Sequence, residues 1–105
     1  MSTTTSCADV MATLFARLRA HPPQRRGIIN VQATGPGGGN FVVMFGKFPY
    51  AGPGQASDPG LTLTLAAPDL VAICLGQTNA LLAYAMRKVR VEGDASLLRE
   101  LQALL

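Results

Sequence analysis

The chain holds 105 residues at 11.0 kDa, 49% of them hydrophobic and only 14% charged, with a mean hydropathy of +0.27. Nine Lys and Arg against six Asp and Glu leave a formal net charge of +3, beside one histidine, two cysteines and no tryptophan. This length bounds the chain to one domain with one core, the apolar share excludes a disordered segment, and so few reactive groups leave little for polar catalysis.

The spacing predicts a helix over 7–20. Ser6 with Asp9 three residues later fits a capping box, and Asp9 also suits the positive end of the helix dipole. Val10, Met11, Leu14, Phe15 and Leu18 then repeat on one helix face. His21-Pro22-Pro23 ends it, because a residue before proline resists the helical region. A hairpin is expected over 28–45. Ile29, Val31 and Ala33 alternate with Asn30, Gln32 and Thr34, a glycine-rich turn follows, and the β-branched and aromatic run 41–45 returns. Residues 49–60 carry three prolines and three glycines and read as a loop, either a passive connector or a gate to an interior site. Leu61, Leu63 and Leu65 alternate with Thr62 and Thr64, which is a strand over 61–65.

Beyond Ala67 the pattern turns helical, and helices are expected over 68–86. Pro68 and Asp69 suit a first turn, Leu70, Ile73 and Cys74 form an apolar side, and Gly76 fits just past the end. A second short helix carries Leu81, Leu82, Tyr84 and Ala85. Val89 and Val91 alternate with Lys88, Arg90 and Glu92, giving a strand over 88–92. Gly93 turns the chain, Asp94 caps, and Leu97, Leu98, Leu101, Leu104 and Leu105 make an amphipathic helix over 95–105. The expected class is α+β: a mixed or antiparallel sheet of about five strands with helices packed on one face.

The uncharged stretches 27–46 and 70–86 are too broken by glycine and polar residues to read as membrane spans. No basic residue precedes the apolar part of the N-terminus, so no secretory leader is visible and the expected location is cytoplasmic. Cys7 and Cys74 read as free thiols acting as small hydrophobes. The glycines over 35–39 precede a strand, whereas a phosphate cradle must open a helix, so they read as a hairpin tip. Metal ligands lack paired spacing, and no serine lies in a nucleophile elbow. No catalytic, metal or cofactor site is therefore expected. An enzymatic reading needs His21 beside a serine or Cys74 in a cleft.

Arg17, Arg19, Arg25 and Arg26 fall within ten residues. They read either as a solvated helix end or as contacts to an anionic membrane surface. Aromatic stacking platforms for nucleic acid are lacking, so nucleic acid is not an expected partner.

The half from Leu61 to Leu105 resembles the sterol carrier protein type 2 family. The likeness lies in the alternating strand 61–65 followed by Pro68-Asp69-Leu70, in Gly76, and in Tyr84 with the run Lys88-Val89-Arg90-Val91-Glu92-Gly93-Asp94. Arg87 stands where the family usually has glycine, a departure that puts the local turn in question. The resemblance implies an apolar tunnel between sheet and helices. It would accept a fatty acyl chain, a sterol or an isoprenoid quinone precursor, without catalysis, in a carrier or an accessory to biosynthesis.

For such a site the expected walls are Leu14, Phe15 and Leu18 on the first helix and Phe41, Val43 and Phe45 on the second strand. Ile73, Leu81, Tyr84 and Met86 add to them, with Leu101 and Leu104 on a movable last helix. The expected partners are an apolar lipid, a transient membrane contact, and a second copy or an enzyme. The alternative is an interaction or dimerisation module with a filled core. A connected apolar void above roughly 300 Å³ separates the two readings.

Overall fold

The computed structural model describes residues 6–21 and 25–104. The first helix, α1, spans Cys7–Ala20 and opens with a reciprocal cap. Ser6 Oγ accepts from the Asp9 N–H at 3.1 Å, and Asp9 Oδ2 accepts from the Ser6 N–H at 3.1 Å. These bonds to Ser6 hold the Asp9 carboxyl below the usual carboxylate range. The helix closes at His21, whose N–H donates to the Arg17 carbonyl; Pro22 and Pro23, assigned above to its end, lie outside the described residues.

Five strands follow in one mixed sheet, ordered β3-β2-β1-β4-β5. They are β1 (Gly27–Thr34), β2 (Gly39–Phe45), β3 (Tyr50–Pro53), β4 (Leu61–Ala66) and β5 (Val89–Gly93). Only the central β1–β4 pair is parallel. The register stacks Val31 between Phe41 and Leu63, and Ile29 between Val43 and Leu61. The odd-numbered side chains of β1, β2 and β4 therefore share one face. That face meets α1, α2 (Ala67–Cys74), α3 (Ala80–Ala85) and α4 (Ser96–Ala103), whose inward residues join it in one buried cluster.

β3 corrects the expectation of a featureless loop over 49–60. It is an edge strand paired only with β2, where a proline such as Pro53 is tolerated. Ala51 and Gly52 carry too little hydrophobic contrast for an alternation to show. Part of the remaining segment covers the other side of the sheet, as a passive connector would. Asn30 points to the sheet face opposite the helices, because it alternates with the core residues Ile29 and Val31. It is only 3% exposed because the segment lies over it: Asn30 Nδ2 donates to the Ala56 carbonyl at 2.8 Å and Oδ1 accepts from the Ala56 N–H at 2.9 Å.

The helical stretch 68–86 is two helices split at 75–79, and both end alike. The Gln77 N–H reaches back to the Ala72 carbonyl and the Gly76 N–H to Ile73, with Gly76 at φ +77°. After α3 the Lys88 N–H reaches Ala83 and the Arg87 N–H reaches Tyr84, with Arg87 at φ +63°. Each is a Schellman closure around a left-handed residue. Arg87 thus keeps the turn that glycine would make, which settles the departure noted in the sequence. The last helix occupies Ser96–Ala103 of the expected 95–105, and Leu105 lies outside the described residues.

Candidate functional site

Between sheet and helices lies a cavity with an entirely apolar lining. Met11 and Leu14 of α1, Leu70, Ile73 and Cys74 of α2, Ala80 of α3, and Leu98 and Leu101 of α4 form its helical walls. Val31, Val43, Leu63, Leu65 and Val89 form its sheet floor. All four helices contribute, so displacing any one of them enlarges the space. Its volume is about 20 Å³, room for about one water molecule with no polar group to hold it. The closed form is therefore nearly filled and falls short of the roughly 300 Å³ of an open ligand chamber.

A second, larger hollow of about 460 Å³ opens on the surface beside the starts of α1 and α2 and the β1–β2 turn. Cys7, Ala67, Pro68 and Val71 are among its walls. The Cys7 thiol donates to the Ala67 carbonyl at 3.8 Å, and burial pushes its pKa up. Cys74 lines the inner cavity instead, and burial pushes its thiol up to about 11, with Cys7 adding to the rise and Arg17 opposing it. Both thiols are protonated near neutrality and are poor nucleophiles. A third cleft of about 390 Å³ is walled by Arg17, His21, Ala103 and Leu104, so its lining sets neither a serine nor Cys74 beside the imidazole. Among the described residues, no three His, Cys, Asp or Glu side chains gather where they could hold a metal ion.

Of the residues expected as walls, Leu14, Val43, Ile73 and Leu101 reach the central cavity. Leu18, Phe41 and Phe45 are buried in the core away from its lining. Phe15 is half-buried and packs edge-on against Tyr50 at 5.4 Å, with the Arg19 guanidinium 5.8 Å from its ring. Leu104 sits in the cleft with His21.

Leu81, Tyr84 and Met86 require correction as cavity walls, because they are 37%, 45% and 57% exposed. The short α3 turns Ala80 and Ala83 inward, three residues apart on one helix face. Its bulky side chains consequently point away. Leu63, Leu65 and Val31 were missed as walls, although strand alternation puts them on the face of Val43. Met11, Leu70 and Leu98 were likewise passed over on the helix faces of Leu14, Ile73 and Leu101, whereas Ala80 and Val89 needed the packing of elements distant in sequence.

The four arginines are not equivalent. Arg25 donates to Asp94 Oδ2 and Ser96 Oγ, tying the start of β1 to the start of α4. Arg17 Nη1 donates to the Leu104 carbonyl at 3.4 Å, Arg19 stacks on Phe15, and Arg26 is exposed.

A mixed sheet with helices closed over an apolar interior, and no polar constellation among the cavity-lining residues, defines a module built for burial. The family profile described as "SCP-2 sterol transfer family" matches residues 24–105, and the chain belongs to that family. None of the curated proteins matches. Among solved structures, palmitated SCP2L2 from Aedes aegypti is similar with a TM-score of 0.79 and 23% identity, covering 95% of this chain and 94% of that one. Sterol Carrier Protein-2 from Aedes aegypti in complex with palmitate aligns with a TM-score of 0.68 and 22% identity over 95% and 94% of the two chains. The ubiquinone synthesis protein UbiJ-SCP2 aligns with a TM-score of 0.58 and 18% identity over 88% and 74%.

Proposed function

We propose that the chain acts as one sterol-carrier-like domain in the cytoplasm. In this reading it binds an apolar lipid of fatty acyl, sterol or isoprenoid-quinone type between sheet and helices, as a carrier or biosynthetic accessory without catalysis. The observation that carries this reading is the apolar lining shared by all four helices. Membership of the family supports it, as do the palmitate-bound similar structures. Binding is driven by burial at about 0.8 kcal/mol per methylene, against the cost of parting the helices from the sheet. Native mass spectrometry of the purified protein, followed by lipid extraction, tests it. An apolar adduct, or uptake of an added acyl probe, is expected; a ligand-free protein that takes up no acyl, sterol or quinone probe defeats the proposal.

The 20 Å³ closed cavity favours a second reading, a filled module that serves an enzyme assembly or a dimer. The likeness to a ubiquinone synthesis protein supports an accessory role under either reading. The two part on acyl-probe titration followed by backbone amide shifts. A carrier moves resonances from all four helices, whereas a filled module moves none.

A further inference from the structure

Leu75, Leu81, Leu82, Tyr84 and Met86 are 37% to 57% exposed. They are five of the six large apolar side chains found exposed among the described residues, the other being Phe48. Single exposed hydrophobics such as Leu75 are ordinary, whereas the four on α3 and its C-cap, Leu81, Leu82, Tyr84 and Met86, mark an interaction surface. The run exists because α3 presents its alanines to the core and its large side chains to solvent, the reverse of an ordinary surface helix.

The charge that adjoins it along the chain has one sign. Arg87, Lys88 and Arg90 are exposed just after α3, and no carboxylate occurs between Asp69 and Glu92. Arg87 holds its guanidinium there from a left-handed backbone that glycine would adopt freely. An apolar strip with an aromatic ring and a cationic rim matches the interface of an anionic bilayer. Acyl chains take the leucines and methionine, headgroups take the cations, and the tyrosine ring suits the boundary. A second copy fits less well, since a two-fold contact sets identical patches, and hence identical cations, against each other.

From this we infer that Leu81, Leu82, Tyr84 and Met86, rimmed by Arg87 and Lys88, form a docking surface for an anionic lipid bilayer. The patch lies on a wall of the interior, because Ala80 lines the cavity and Leu81 and Leu82 follow it on the outside. α3 is six residues long and packs mainly on α4 and β5. Docking therefore presents the bilayer to a short, separable wall of the cavity, a consequence that rests on the lipid-binding proposal while the docking itself does not.

Flotation with vesicles tests the inference, using phosphatidylcholine alone and phosphatidylcholine mixed with phosphatidylserine at low and high salt. The full chain is expected to float with the phosphatidylserine vesicles and to detach as salt rises. Leu82→Ser with Met86→Ser, and separately Arg87→Gly with Lys88→Gln, should each weaken the partition by about tenfold or more. Arg17→Gln with Arg19→Gln should leave it within about twofold. All these side chains are exposed, and circular dichroism confirms that the variants fold. The inference is overturned by absence of vesicle binding, or by binding that the Arg17 and Arg19 substitutions abolish and the α3 substitutions spare. A concentration-dependent dimer that Leu82→Ser and Met86→Ser dissolve, without vesicle binding, overturns it in favour of a second copy. Acyl-probe uptake without vesicles reads the cavity separately, so docking without uptake defeats only the lipid-binding proposal, and uptake without docking defeats only this one.

Discussion

Gln102 Oε1 accepts the N–H of Ala80 at 2.6 Å. That donor belongs to the first residue of α3, one of the terminal N–H groups that no helix satisfies internally. The next two are taken by Asn79 Oδ1, which accepts from Leu81 at 2.8 Å and from Leu82 at 3.2 Å. Asn79 thus shapes α3, while Gln102 fastens it to α4 over the cavity. Gln102→Leu should cost about 1 kcal/mol, because a half-buried donor loses its partner. Amide exchange in α3 should quicken more than in β1 or β4, and acyl-probe association should accelerate. Unchanged exchange in α3 would show that packing, rather than this bond, keeps the wall shut.

Cys74 lines the cavity with its thiol pushed up to about 11. At pH 8 only about a thousandth of such a thiol is thiolate, against about a tenth for one at the ordinary value of 9.0, so native alkylation should be about a hundredfold slow. Urea should restore ordinary reactivity, and an acyl ligand should slow the native reaction further by reducing opening. Alkylation of folded protein at the rate of a free thiol would mean that the cavity wall stands open to solvent.

Much of the fold was legible because its strands alternate and its helices carry ordinary caps. Leu61, Leu63 and Leu65 against Thr62 and Thr64 announced β4, and Ser6 with Asp9 announced α1. What escaped has physical causes. β3 is built from Ala51, Gly52 and Pro53, whose burial comes from pairing beside β2 rather than from side-chain contrast. α3 misled because its leucines invited an inward reading, yet its alanines give the smaller face and permit closer packing to the core. The mixed order of the sheet, with β4 beside β1, was likewise invisible in local spacing, since it joins strands separated by two others. The site shared this division. Leu14, Val43, Ile73 and Leu101 lay on periodic faces, whereas Ala80 and Val89 gained their place only when α3 and β5 docked.

Asp94 organises the start of α4. Its Oδ1 accepts from the Ser96 N–H at 3.0 Å and from the Ser96 hydroxyl, and Arg25 closes on Oδ2. The bonds from Ser96, with Arg25 adding to them, hold the carboxyl below the usual carboxylate range. A group lowered on folding stabilises fully above its unfolded pKa, near 3.9, and loses that contribution as pH falls through the folded value. Asp94→Asn should therefore lower the melting temperature at pH 7. The gap between variant and wild type should narrow below about pH 4. Equal gaps at pH 7 and pH 3 would show that the charge contributes nothing and only the side-chain shape matters.

The two Schellman closures offer a matched pair of substitutions. Gly76 sits at φ +77° with open space where a Cβ would fall, so Gly76→Ala changes the backbone preference and almost nothing else. Its expected cost is about 1 kcal/mol, a few degrees of melting temperature in a domain of this size. Arg87 sits at φ +63° and already bears the strain of a side chain in the left-handed region. Arg87→Gly should relieve it and raise the melting temperature by up to a few degrees. The same change removes one cation from the rim of the α3 patch. Stability and vesicle affinity should then move in opposite directions for this one residue, the pattern expected where a surface charge is kept at the expense of a relaxed turn. If Arg87→Gly lowers the melting temperature, the arginine is supporting the turn through packing, and its place at C′ has an ordinary structural cause.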